Sequence, residues 1–341
     1  MNNNFFFHLR PRKVPAASLR FTLTWGLGGA AALMILLQLL SGLLLNFAYQ
    51  PAPVQAYLSV QQINNELFLG KLIRNLHHWT GHFLVLVVCL HLLRVFFSGA
   101  YFSPRRMSWY SGLFLLFLVL LANFTGYLLP WDQLAFWAVT IATSMLAYIP
   151  LAGETLQGLI LGGGEVSGAT LGIFHSFHTT LLPFAFLLGM AYHFWRIRKG
   201  GGVKIDTAEK GEMLPLVPEL LVRELAFAAA VSCFLLLFAM CFDAPLAAMA
   251  NPGLTPEMVK APWYFLWLQE LLLHMPPVLA LCVLPLAFAL FLLLLPFLGQ
   301  HNEKPSRPVQ VILITFFLVI MALTITGLAF RGAGMRFTLP W

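Results

Sequence analysis

Seven stretches of roughly twenty apolar residues run through this 341-residue chain. Such a stretch is what a helix needs to cross the hydrocarbon of a bilayer, about 20 residues at a time. They lie at about Trp25–Phe47 (A), Ile73–Ser98 (B), Gly112–Pro130 (C), Phe174–Trp195 (D), Leu225–Asp243 (E), Val278–Leu298 (F) and Val309–Phe330 (G). The predicted fold is an all-α integral membrane protein, a four-helix bundle from A–D plus three further transmembrane helices, E–G. Only 10% of the residues are charged, against about 25% in soluble domains. That excludes a cytosolic enzyme, a disordered chain and a nucleic-acid binder, so the net charge of +7 reflects loops on one membrane face.

Those loops set the orientation. The N-terminus, the B–C loop with the end of B, the D–E segment and the F–G loop hold fifteen of the twenty Lys and Arg; Lys71, Arg74, Lys260, Arg331 and Arg336 lie on the other side. Cationic loops stay cytoplasmic, which predicts a multi-pass protein of a bacterial cytoplasmic membrane with its N-terminus inside. Arg10, Arg12, Lys13 and Arg20 precede a span too long for a cleaved signal peptide, and no A-x-A site follows. Cys89, Cys233, Cys241 and Cys282 sit singly, with no C-x-x-C pair, so no disulfide framework, zinc site or covalently attached haem is expected. Pro130–Ala169 reads as a long connection with short amphipathic pieces. Lys199–Pro218, polar and containing Gly200–Gly202, reads as a flexible linker between residues 1–210 and 211–341.

Ionisable residues inside a membrane are costly and mark function. Four histidines fall within stretches B and D: His77 and His91, 14 apart, and His178 and His193, 15 apart. Fourteen helical steps return to within about 40° of the same face, about 21 Å along the axis; fifteen leave about 60° and about 22 Å. B and D run in the same direction, so His77 meets His178 near the outer face and His91 meets His193 near the inner one. Two stacked bis-histidine b-type haems, held non-covalently, require that arrangement. Gly28 and Gly42 on A, and Gly112 and Gly126 on C, repeat the 14-residue period; glycine lets a flat ring approach a helix closely. Arg74, Arg94, Arg198 and Lys199 lie near the histidines and suit anionic propionates. His78, His82 and His175 are expected to form hydrogen bonds or serve a quinone. His8 and His301 are expected to be solvated, and His274 precedes F on the outer side.

With these residues the chain resembles cytochrome b of the quinol-oxidising bc and bf complexes over nearly its whole length. The motifs are R-N-L-H-H-W-T-G-H (Arg74–His82), L-H-L-L-R (Leu90–Arg94), T-G-Y-L-L-P-W-D-Q-L-A-F-W-A-V-T (Thr125–Thr140), F-H-T-T-L-L-P (Phe177–Pro183), Y-H-F-W-R-I-R-K (Tyr192–Lys199), N-P-G-L-T-P-E (Asn251–Glu257) and P-W-Y-F-L-W (Pro262–Trp267). The 15-residue spacing on D, P-W-D-Q and I-R-K look like the bf branch, with its two separate halves fused here. The resemblance implies a subunit of a quinol:cytochrome c oxidoreductase-type complex. Quinol would be oxidised at the outer face, and electrons would cross through two b haems to an inner quinone site. The implied partners are a Rieske iron–sulfur protein, a c-type cytochrome or both, membrane lipid and a second copy of the complex. A dihaem anchor that links the quinone pool to another redox module without bifurcation is the alternative.

The family's outer quinol site maps onto Tyr127, Pro130, Trp131, Asp132 and Phe136, and onto Pro262, Trp263 and Tyr264. Three departures stand out. The family's P-E-W-Y reads Ala261-Pro262-Trp263-Tyr264, so its proton-accepting glutamate is missing; Glu270, His274 and Asp132 are the candidates to replace it, and a low-potential menaquinone is a corresponding expectation. The cysteine that tethers an extra haem in the bf branch is Gly26. The arginine five residues before the first helix-D histidine is Ile173.

Overall fold

The computed structural model describes residues 12–205, 211–256, 259–298 and 304–331. His8, His301 and the loop cations Arg10, Lys210 and Arg336 lie outside the described residues, as does Glu257 of the N-P-G-L-T-P-E motif. In chain order the helices are α1 (Leu27–Asn46), α2 (Pro53–Asn65), α3 (Gly70–Phe97), α4 (Arg106–Tyr127), α5 (Gln133–Ser144), α6 (Gly153–Leu161), α7 (Gly168–Lys199), α8 (Leu216–Cys241), α9 (Trp263–Leu271), α10 (Leu279–Phe297) and α11 (Arg307–Ala329). Seven of them, α1, α3, α4, α7, α8, α10 and α11, are long and apolar enough to cross a membrane. Helices satisfy their own backbone groups, the condition for a chain surrounded by lipid.

The seven spans correspond to stretches A–G, with their ends adjusted by local chemistry. Stretch D lengthens to Gly168 because Ser167 and Thr170 form a reciprocal capping box, which satisfies first-turn N–H groups that a sequence-only reading leaves in a loop. Stretch E lengthens to Leu216 through an irregular turn around Pro218. The long connection Pro130–Ala169 resolves into α5 and α6. Asp132 caps α5, accepting from Ala135 N at 2.8 Å. A short antiparallel pair, β1 (Lys13–Pro15) with β2 (Met213–Pro215), ties the N-terminal segment to the chain just before α8.

Wide π-turns interrupt two spans, at Phe177–Leu181 in α7 and Leu279–Val283 in α10. Pro183 and Pro285 follow them. A helical proline lacks an N–H and crowds the carbonyl four residues back; a turn widened by one residue relieves both.

The core is layered along the bundle. A middle layer joins Ala31, Met34 and Ile35 of α1, Leu84 and Val85 of α3, Leu118 and Val119 of α4, and Leu182 and Phe186 of α7, all buried. Each set falls midway in sequence between the two glycines or two histidines of its helix. A second layer around Leu128, Trp131, Phe136 and Phe174 lies at one end, and a third around Phe96, Tyr101, Trp109 and Leu295 lies at the other.

The first four spans grip the last three at both ends. Near the start of α3, Arg74 donates to Ala244 O (2.9 Å) and Pro245 O (2.6 Å). Asn75 donates to Ala239 O (3.0 Å) and Trp79 Nε1 to Phe242 O (2.8 Å). Lys71 pairs with Asp243 at 2.7 Å, and hydrogen bonds from Lys71 and then Asn75 hold the Asp243 carboxyl below its ordinary range. At the opposite end Trp109 Nε1 donates to Leu292 O at 2.8 Å.

Candidate dihaem site

His77 lies on α3 and His178 in the wide turn of α7; their ring centroids are 6.1 Å apart and their planes 77° apart. That separation leaves room for one metal ion between two imidazole nitrogens at metal–nitrogen bonds of about 2 Å. His91 of α3 and His193 of α7 line one apolar cavity, about 1330 Å³ with its open mouth, together with Gly28, Gly112, Arg94 and Met190. The sequence pairing, first with first and second with second, is thus the pairing in space.

The wide turn accounts for the unequal spacings. One π-turn takes up one more residue than an α-turn, so the fifteen residues between His178 and His193 do the work of the fourteen between His77 and His91. The extra residue is taken up beside His178 itself.

Each of the four glycines faces one imidazole. A Cβ at Gly42 would lie 3.0 Å from His77 Cε1, at Gly28 3.1 Å from His91 Cε1, at Gly126 2.6 Å from His178 Cε1, and at Gly112 3.4 Å from His193 Cε1. The sequence reading had these glycines admitting a flat porphyrin; what rests against them is the ligand ring. Helix α1 thus backs both histidines of α3, and α4 backs both histidines of α7.

The residue before three of these glycines is a hydroxyl, a feature the sequence reading missed although the [S/T]-G pairs are visible in it. Ser41 Oγ lies 2.9 Å from His77 Nδ1, Ser111 Oγ 2.8 Å from His193 Nδ1, and Thr125 Oγ1 3.2 Å from His178 Nδ1. Each hydroxyl also donates to its own helix: Ser41 to Leu37 O (2.6 Å), Ser111 to Ser108 O (3.0 Å) and Thr125 to Leu121 O (2.9 Å). A hydroxyl has one proton to give, so towards the imidazole it accepts. Nδ1 then carries the ring hydrogen and Nε2 keeps its lone pair, the tautomer a metal requires.

This donor chemistry fits haem. No group of three or more His, Cys, Asp and Glu converges on a common centre among the described residues. Isolated pairs of neutral imidazoles suit a metal that brings its own equatorial ligands, as haem iron does. Gly26 has φ +63°, and a Cβ there would fall 2.4 Å from Phe227 Cε1, so the backbone and its neighbour leave no place for a tethering cysteine.

The remaining predicted residues fall in three settings. Arg94 lines the His91/His193 cavity, Lys199 Nζ stands 4.7 Å over the Trp195 ring, Arg198 lies in the last turn of α7, and Arg74 directs two of its nitrogens to the carbonyls named above. Tyr127 ends α4, and Tyr264 is 7% exposed; burial, then the Tyr127 phenol, pushes the Tyr264 phenol above its ordinary value. Pro262 caps α9. Trp263 Nε1 donates to His82 Nδ1 at 3.1 Å, and His82 in turn faces Tyr264 with centroids 5.5 Å apart. His175 bonds Asn46 Oδ1 at 2.9 Å, and His78 packs beside His82.

The carboxylates are committed. Asp132 accepts from Ala135 N and, through its other oxygen, from Ala247 N at 3.0 Å. Glu270, 2% exposed, is gripped by both guanidinium arms of Arg331, with Nε at 2.8 Å from Oε2, and bonds His274 Nε2 at 3.0 Å. Arg331 holds the Glu270 carboxyl below the usual carboxylate range.

Comparison with known proteins agrees with this geometry. The family described as Cytochrome b/b6/petB matches residues 13–201, and the one described as Cytochrome b(C-terminal)/b6/petD matches residues 249–337. The chain is 40% identical over 187 residues to cytochrome b6 of Heliomicrobium gestii, covering 55% of this chain and 88% of that protein. It is 30% identical over 320 residues to cytochrome b/c1 of Bradyrhizobium diazoefficiens, covering 91% of this chain and 46% of that protein. A solved hyperthermophilic respiratory Complex III contains a similar chain, with TM-score 0.80 and 28% identity over 94% of this chain and 88% of that one. A helical membrane bundle with paired imidazoles, matched by both family descriptions, is a member of one family: the chain belongs to cytochrome b.

Proposed function

We propose that this protein is the dihaem cytochrome b subunit of a respiratory bc-type, quinol:cytochrome c oxidoreductase-type complex in a bacterial cytoplasmic membrane, its N-terminus on the cytoplasmic side. Residues 1–210 form the dihaem unit and residues 211–341 the quinone-site unit. The observation that carries the reading is the pairing of His77 with His178 and of His91 with His193, each ring backed by a glycine, on either side of a buried apolar layer. Two b-type haems, when bound there, supply one-electron carriers between a quinol site at the outer face and a quinone site at the inner face. His77, His178, His91 and His193 give their Nε2 lone pairs to the metals. Arg94, Arg198 and Lys199 balance the propionate charge, whereas the Arg74 guanidinium, expected to do the same, is taken up by the carbonyls of Ala244 and Pro245.

At the outer face, Tyr127, Pro262, Trp263 and Tyr264 form the apolar and aromatic surface for a quinol ring, of the kind ligand pockets use. Asp132 holds the loop before α5 against the chain at Ala247. Glu270 and His274 take the place of the missing acid: the carboxylate orients the imidazole, and His274, 53% exposed, passes the proton to water. The electron acceptors are a Rieske iron–sulfur protein, a c-type cytochrome or both, the complex is a homodimer in lipid, and menaquinone is the substrate quinone.

Absorption spectroscopy with haem quantitation tests the foundation, with two b haems per chain and no covalent haem expected. Quinol turnover with the inner site inhibited tests the rest: an oxidant pulse that reduces the b haems supports bifurcation. Its absence favours the second reading, a dihaem anchor without bifurcation, which Ala261 in the glutamate's place keeps in play.

A further inference from the structure

The four ligand histidines are not held alike. Three have a hydroxyl at Nδ1, and each hydroxyl belongs to the residue before the glycine that backs the ring. Gly28 stands to His91 as Gly42 stands to His77: the distances from the built Cβ are 3.1 and 3.0 Å to Cε1, and 3.6 Å to Nδ1 in both. Position 27 is therefore the counterpart of positions 41, 111 and 125, and it is Leu27. Correspondingly, His91 Nδ1 is buried with no hydrogen-bond partner. Leu27 is the first residue of α1, preceded by Gly26 at φ +63°; the carbonyl three residues back, Thr24 O, accepts from Leu27 N and stands where Ser108 O stands to Ser111.

We infer that Ser41, Ser111 and Thr125 are positioning residues that fix tautomer and ring direction for their histidines, and that Leu27 leaves His91 as the one unbraced ligand, so that introducing or removing a hydroxyl beside these glycines retunes one haem at a time. This rests on the dihaem reading. A partner that accepts from Nδ1–H raises imidazole basicity and ligand strength, and outer-shell partners of this kind are worth about 10–100-fold in metal affinity. A ligand without one donates less to the metal, which favours the reduced state.

The experiment is a potentiometric titration of both haems in the purified, detergent-solubilised full chain, with haem release to an excess of apo-acceptor protein followed in parallel. Leu27→Ser lowers the inner midpoint and slows inner haem release, leaving the outer haem unchanged. Ser111→Ala raises the inner midpoint and speeds release by about tenfold or more, and Ser111→Thr restores both. Ser41→Ala moves the outer haem alone. If Leu27→Ser and Ser111→Ala both leave the inner midpoint and release rate as in the parent chain, the inference is overturned while the dihaem reading stands. A parent chain that carries fewer than two b haems overturns both.

Discussion

The two histidine pairs share one plan and differ in how tightly they are built. At the outer pair both imidazoles have hydroxyl partners, and the glycine behind His178 is crowded, with a Cβ at 2.6 Å from its Cε1. At the inner pair one imidazole has a hydroxyl partner, the glycine behind His193 is looser at 3.4 Å, and the rings face an open-mouthed cavity. The lesson is that a repeated helix period sets ligand position, while the residues beside the repeat set how firmly each ligand is held.

The most severe way to break the comparison is to remove one ligand from each level. His178→Ala and His91→Ala are each expected to cut the haem content from two per chain to one, measured by pyridine haemochrome, and to remove different haems, distinguished by redox titration. Next comes Gly126→Ala against Gly112→Ala. At Gly126 the added methyl falls inside the distance real contacts allow and must displace His178, costing about 1–3 kcal/mol by overpacking and depleting the outer haem. At Gly112 the contact is near ordinary and both haems remain; equal losses in the two variants would show that the crowding is not what separates the levels.

A third test asks whether the second half influences the outer level. Arg331→Met leaves the buried Glu270 carboxylate without its main partner and is expected to cost about 1–3 kcal/mol, read as a lower melting temperature in detergent, with the inner haem unaffected. The sign with pH follows from the lowered Glu270 pKa: in the parent chain the stabilisation is fully present above the ordinary carboxylate range and fades as acid takes the pH down through the lowered value. In Glu270→Gln that acid-side loss is smaller. The smallest effect is expected of His82→Phe, which removes the acceptor for Trp263 Nε1 and costs about 0.5–1.5 kcal/mol; it alters quinol affinity more than haem content.

Much of this was legible in the sequence because lipid and metal impose periodic demands. Twenty-residue apolar stretches, histidines 14 and 15 apart and glycines 14 apart carry the seven spans and the facing of the histidines without knowledge of any contact. The roles of Arg74 and Asp132 were not legible, since their partners at Ala244, Pro245 and Ala247 lie more than a hundred residues away and are backbone groups that carry no residue signature. The Glu270–Arg331 grip is hidden because a single acid and a single base 61 residues apart carry no periodic signal. The hydroxyls at 41, 111 and 125 were readable and unread, because a serine in an apolar helix most often bonds its own backbone; these do so as well, and the second lone pair is what reaches the imidazole.

The wide turn at Phe177–Leu181 gives α7 one amino acid of slack directly beside the His178 ring. In an evenly wound helix an insertion swings everything beyond it by about 100°. Here the surplus residue is taken up before Pro183, and the two rings of α7 keep pace with those of α3 over an unequal length of chain. Alignment between neighbouring helices can thus be preserved by a local change of winding, and two spans need not carry equal numbers of residues to present their side chains at matching heights.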